Sequence, residues 1–136
     1  MLRSILAVIA GSVVWMVTAL GTDAILMSLW PQAYSAGGRV ESVPLLLFTM
    51  FYAVLFGVLA GYVTAVIARR AEVKHALALG ILQLLMGIVA TINFWDTAPA
   101  WYHLIFLALV TPSNLLGGWL RANRRRKLGA GAVAAH

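Results

Sequence analysis

Four uncharged stretches dominate this chain: Ser4–Thr22, Ser42–Ala68, His75–Trp95 and Thr97–Leu120. A helix needs about 20 mostly apolar residues to cross the hydrocarbon core of a bilayer, and each stretch is near or above that length. The remaining interval, 24–38, is too short and holds Trp30-Pro31 and Gly37-Gly38. The expectation is therefore an all-α integral membrane four-helix bundle made of two helical hairpins. Its spans are expected at about 4–29, 43–68, 75–95 and 98–120, with residues 128–136 as a disordered tail.

Proline and charge set these boundaries. Pro31 stops the first span because it lacks an amide donor and clashes with the preceding turn. Pro44 sits in the first turn of span two, where a missing N–H costs nothing. Residues 69–74 are a short connection, so spans two and three form a tight antiparallel hairpin. Residues 95–99 do the same for spans three and four. An alternative reading of residues 1–21 is a signal peptide, with Arg3, an apolar run and Ala19-Leu20-Gly21. The run resumes at Ala24–Met27, longer than such peptides use, so retention as a helix is expected.

The net charge is +6, but its distribution argues against nucleic acid. Nine of the ten Lys/Arg flank the spans on one side: Arg3, Arg69, Arg70, Lys74, Arg121, Arg124, Arg125, Arg126 and Lys127. Arg39 lies on the other side, with Asp23, Glu41 and Asp96. Lys and Arg resist translocation. This places both termini in the cytoplasm of a multi-pass inner-membrane protein. Arg121, Arg124, Arg125, Arg126 and Lys127 are expected to contact anionic lipid headgroups, each worth about 1 kcal/mol near the surface. No aromatic platform for bases accompanies them. The chain has no cysteine, which removes thiolate catalysis and cysteine-bound zinc.

Three groups of residues are candidates for function. Ala53, Gly57, Gly61 and Ala65 recur every four residues and form a small-residue stripe for close helix packing, within the chain or with a second copy. Gln83 with Ser113 and Asn114 forms an intramembrane polar set beside Pro112. Their heights agree within a turn at about 1.5 Å per residue, so Gln83 is expected to hydrogen-bond span four. Asp23, Asn93, Asp96 and His103 share the outer boundary, where an Asp–His pair has the chemistry to relay a proton. Headgroup solvation is the simpler account of that cluster. Trp15 falls near mid-bilayer, and space-filling is expected there rather than ligand stacking. No histidine or carboxylate has metal-ligand spacing, so neither metal nor cofactor is expected.

The segment Gly61-Tyr62-Val63-Thr64-Ala65-Val66-Ile67-Ala68-Arg69-Arg70, followed by His75-Ala76-Leu77-Ala78-Leu79-Gly80, resembles stretches in small uncharacterised four-helix membrane proteins of bacteria. The resemblance covers about 20 residues and implies a bacterial inner membrane, with no activity attached. The small multidrug-resistance transporters share the size and span count, but their first-helix glutamate is missing here. The function expected is non-enzymatic: packing in a homo-oligomer or as an accessory subunit of a larger membrane complex. A small-solute permease using Gln83, Ser113 and Asn114 is the alternative. A membrane enzyme using Asp23 and His103 ranks third.

Overall fold

A computed structural model describes residues 1–34 and 39–135. The expected Gly37-Gly38 loop and His136 lie outside the described residues. Four long helices run in order: α1 (Leu2–Leu29), α2 (Val43–Ala68), α3 (Glu72–Asn93) and α4 (Ala100–Ala134). Single 3-10 turns at Pro31–Ala33 and Trp95–Thr97 follow α1 and α3. All four helices are long and apolar enough to cross a membrane. The fold is a helical bundle.

The boundaries follow local chemistry. α1 stops before Pro31, as proline disfavours helix in the residue ahead of it, and Trp30 leaves helical geometry at φ −132° and ψ 57°. α2 takes Pro44 into its first turn and closes on Arg69, which is left-handed at φ 60°. Ala71 is left-handed too, at φ 48°. Both residues carry a Cβ, so this tight turn is strained by about 1–2 kcal/mol for each.

Two expected boundaries are corrected. α3 begins at Glu72 rather than 75, because the charges at 72 and 74 do not interrupt a helix that has already left hydrocarbon. α4 does not end near 120, and residues 128–134 are helical rather than disordered. The segment after Leu120 is rich in Ala, Arg and Lys, all strong helix formers, and has no proline. Gly129 and Gly131 each cost about 1 kcal/mol against alanine, which does not stop a helix already propagating. The last 14 residues of α4 therefore project roughly 21 Å beyond Leu120 at the helical rise.

Burial is the reverse of a water-soluble core. The residues with no exposure include Ala7, Ala60, Ala65, Ala76, Thr64 and Asn114, with Leu79 the largest. Large apolar side chains such as Val17, Phe51, Val89 and Ile92 point outward, at 60–73 % exposure. In lipid there is no gain from hiding leucine, so van der Waals contact between backbones selects small residues inside.

The stripe on α2 faces α4 of the same chain. A Cβ built on Gly61 would overlap the Asn114 backbone, and one on Gly57 would overlap Ser113. The approach is reciprocal, as a Cβ on Gly117 would collide with the backbone at Val58 and Tyr62. α3 joins α4 through two more small residues: Gly80, whose Cβ would lie 3.2 Å from Thr111 Cα, and Gly118, which faces Ala76. α1 packs chiefly on α2 and only lightly on α3. Its entry point is Gly11, set against Thr64, Leu79 and the Ala60 carbonyl.

These contacts predict the result of one matched pair of variants. Gly61→Leu forces α2 off the α4 backbone and lowers the unfolding free energy by about 3 kcal/mol, the upper end of typical overpacking costs. Gly21→Leu is the same chemical change on α1, where a Cβ meets nothing within 4 Å, and leaves stability unchanged or slightly raised. Thermal unfolding of both in one detergent reads the difference, and equal melting points would refute the packing.

Candidate functional site

The deepest polar contact joins α3 to α4. Asn114 Nδ2 donates to Gln83 Oε1 at 2.7 Å and to the Val110 carbonyl at 2.8 Å. Both side chains are buried, at 0 % and 6 % exposure. An unpaired amide in hydrocarbon is costly, which explains why the two meet. Asn114 Nδ2 faces a backbone carbonyl and must be the donor. The Gln83 atom beside it must then be the acceptor, which fixes both amide orientations. This leaves Gln83 Nε2 buried without a hydrogen-bond partner, and Asn114 Oδ1 as well.

Ser113, the third member of the expected set, does not join them. Its hydroxyl donates to Val110 O at 2.8 Å, and its side chain fills the space opposite Gly57. Thr111 instead makes the second polar link between the two helices, donating to the Gly80 carbonyl at 3.2 Å.

Gln83 also lines a partly open cavity of about 290 Å³ between α1, α3 and α4. Trp15 and Met16 form its α1 wall, Met86 and Ala90 its α3 wall, and Phe106 part of its α4 wall. Its origin lies in the helix crossings. α1 meets α3 at Gly11 and Leu79, where the glycine permits contact. Further along α1, Trp15 and Leu20 line the space that remains between the helices. Trp15 is therefore a cavity wall, with its ring centroid 6.3 Å from that of Phe106.

At the end of the bundle that holds Asp23 and His103, the expected residues take different partners. Tyr52 on α2 donates its hydroxyl to Asp23 on α1. One turn away, the hydroxyls of Thr49 on α2 and Tyr102 on α4 lie 3.1 Å apart. Burial, then the Asp23 carboxylate, push the nearby Tyr34 phenol above its ordinary value. His103 turns elsewhere: its ring stacks on Trp95 at 5.4 Å, and its Nε2 lies 3.2 Å from the Trp95 carbonyl. Asn93 donates to Val89 O of its own helix at 2.7 Å, and Asp96 sits exposed in the turn after α3. The Asp23–His103 relay geometry is not formed. Among the described residues, no three His, Asp or Glu side chains come together as a metal site.

At the opposite end the basic residues do more than face solvent. Arg125 Nη1 donates to the Arg69 carbonyl at 2.5 Å and to Glu72 Oε1 at 2.6 Å. It thereby clamps the strained α2–α3 turn onto α4. Arg3 Nε donates to the Ile67 carbonyl at 2.8 Å, and Arg124 reaches the Tyr62 hydroxyl at 3.3 Å. Cations beside the C-terminal carbonyls of α2 also complement its dipole. Arg124 and Arg125, read from sequence as headgroup contacts, thus have protein partners. Sequence reasoning missed Tyr52, Thr49 and Glu72, because the partner of each depends on how the helices rotate against one another. No protein-family model, curated protein or solved structure matches this chain.

Proposed function

We propose that this is a small multi-pass membrane protein with a non-enzymatic role, packing with itself or serving as an accessory subunit of a larger membrane assembly. The observation that supports this reading is the use of its intramembrane polar groups. Asn114 with Gln83, Tyr52 with Asp23, Thr111 with Gly80 and Thr49 with Tyr102 each link two helices of one chain. They serve as joints of a scaffold. The small-residue stripe is occupied by α4, so association with other chains falls to the outward apolar faces, of which α1 offers the least covered.

A permease is the second reading, favoured by the position of Gln83 at the cavity and by Pro112 inside α4. Against it, the chain has no ionisable group deep in the membrane of the kind coupled transport usually employs.

The proposed setting is a bacterial inner membrane with both termini cytoplasmic. The nine-to-one bias of Lys/Arg supports that orientation, and the sequence resemblance supports that membrane. With no native cysteine, Arg39→Cys is expected to react with an impermeant thiol reagent added to intact cells, and Arg70→Cys only after the membrane is opened. The reverse pattern would overturn the orientation.

The functional reading is tested by extraction from the native membrane in mild detergent, with mass measured by light scattering. A homo-oligomer, or a second membrane chain at fixed stoichiometry, is the expected result. A detergent-stable monomer with no co-purifying chain would contradict it.

A further inference from the structure

We infer that the groove between the first turns of α1 and α3 holds one anionic phospholipid, with an acyl chain along the groove and the phosphate on Lys74. The site needs a chain that lies in a bilayer and is independent of the scaffold role. It uses none of the basic residues of α4.

The groove is open-sided, with a volume of about 520 Å³. Ile5 and Ile9 of α1 and Leu82 of α3 line it, at 57, 51 and 39 % exposure. Ser4, Lys74 and His75 line it too. Ser4 and Lys74 lie in the first turns of their helices, at the end where Arg3 reaches the Ile67 carbonyl of α2. Lys74 and Leu82 are separated by about 12 Å of helical rise. The groove is thus a hydrocarbon slot with a polar, cationic end.

That end specifies the occupant. Among the described residues, neither the Lys74 ammonium nor the Ser4 hydroxyl has a hydrogen-bond or ion-pair partner. Ser12, Thr18 and Thr22 of the same helix each donate to a carbonyl one turn back, and Ser4 does not. His75 is turned to the Ala71 carbonyl, 3.0 Å from its Nδ1, so Lys74 supplies the charge. Of the four acidic residues, Asp23, Glu41 and Asp96 belong to the opposite end of the bundle, and Glu72 is taken by Arg125. Arg3 and Arg70 add positive charge at this end. The compensating anion therefore comes from outside the chain.

A phospholipid supplies both parts, a phosphate at the height of Lys74 and hydrocarbon beside Ile5, Ile9 and Leu82. Basic pockets between membrane helices bind anionic headgroups in this way. A zwitterionic lipid would also bring its own ammonium to a cationic surface, so a net-negative lipid is favoured. A second copy of the chain fits less well. It has no free carboxylate at this level, and the large side chains along the groove hold a helix backbone off, where close helix packing needs small residues.

The test uses the full chain in mild detergent, mixed with equal amounts of phosphatidylglycerol and phosphatidylcholine and read by native mass spectrometry. One retained phosphatidylglycerol per chain is expected. Lys74→Gln should weaken its apparent affinity roughly fivefold, the worth of one cation beside an anionic headgroup. Ala78→Phe fills the groove from an exposed position on α3 and should displace the lipid with Lys74 still in place. Ile9→Trp should do the same from α1. Lys127→Gln removes an equal charge outside the groove and should leave binding unchanged. Equal retention of the two lipids, or an unchanged affinity in Lys74→Gln, would overturn the anionic assignment. Retention unchanged in both Ala78→Phe and Ile9→Trp would overturn the groove. Equal losses in Lys127→Gln and Lys74→Gln would show general attraction of charge and overturn the site. Displacement by excess inorganic phosphate would overturn the role of the acyl chain. A dimer abolished by Ala78→Phe would make a second copy the occupant and overturn the lipid. A monomer that keeps the lipid contradicts the scaffold role and supports this site.

Discussion

The close approach of α2 to α4 governs the rest of this bundle. Gly61 lies against the Asn114 backbone, and Gly117 lies against Val58 and Tyr62. No side chain intervenes at either point. In lipid, where apolar burial drives little, such contact is a main source of helix attraction. It also sets the rotation of α4, and that rotation turns Asn114 toward Gln83 and Thr111 toward Gly80. The polar joints are therefore consequences of the glycine contact as well as reinforcements of it.

α1 stands apart from this arrangement. Its joints to α2 are a glycine contact at Gly11 and polar contacts at Arg3 and Asp23. Between Gly11 and Asp23 it carries Trp15, whose ring lies beside Phe106 of α4. α1 touches α3 only lightly, and the space left between them beyond Gly11 is the cavity. The cavity and the loosely covered exterior of α1 share this cause. The end near the α2–α3 turn is tightened differently, by Arg3 on Ile67 and Arg125 on Arg69 and Glu72. These clamps hold a strained turn whose left-handed Arg69 and Ala71 carry side chains.

Much of the architecture was readable from charge and hydrophobicity alone. The bounds of α2 were legible because Pro44 and Arg69 mark its ends. The start of α3 was not, because Glu72 is neutralised by Arg125, more than 50 residues away. The length of α4 was missed because charge marks where a helix leaves the membrane, and the backbone stays helical beyond that point. Gln83 with Asn114 was legible from depth, since each amide needs a partner and each lies at the same height. Asp23 with Tyr52 was not, because a long phenol reaches along the helix and defeats a depth estimate. The cavity left no trace in sequence, as it arises from the distance between two helices.

The central claim is that the Ala53-Gly57-Gly61-Ala65 stripe is closed by α4 of its own chain. A Cβ placed on Gly57 falls 3.0 Å from Ser113 Cβ, and a disulfide needs about 3.5–4.5 Å between those atoms. A shift of under 1 Å would suit the bond. In this cysteine-free chain, the double variant Gly57→Cys with Ser113→Cys is expected to oxidise within one chain, giving a monomer of altered mobility on a non-reducing gel. Exclusive formation of cross-linked dimers would show that the stripe meets another copy, and would contradict the account.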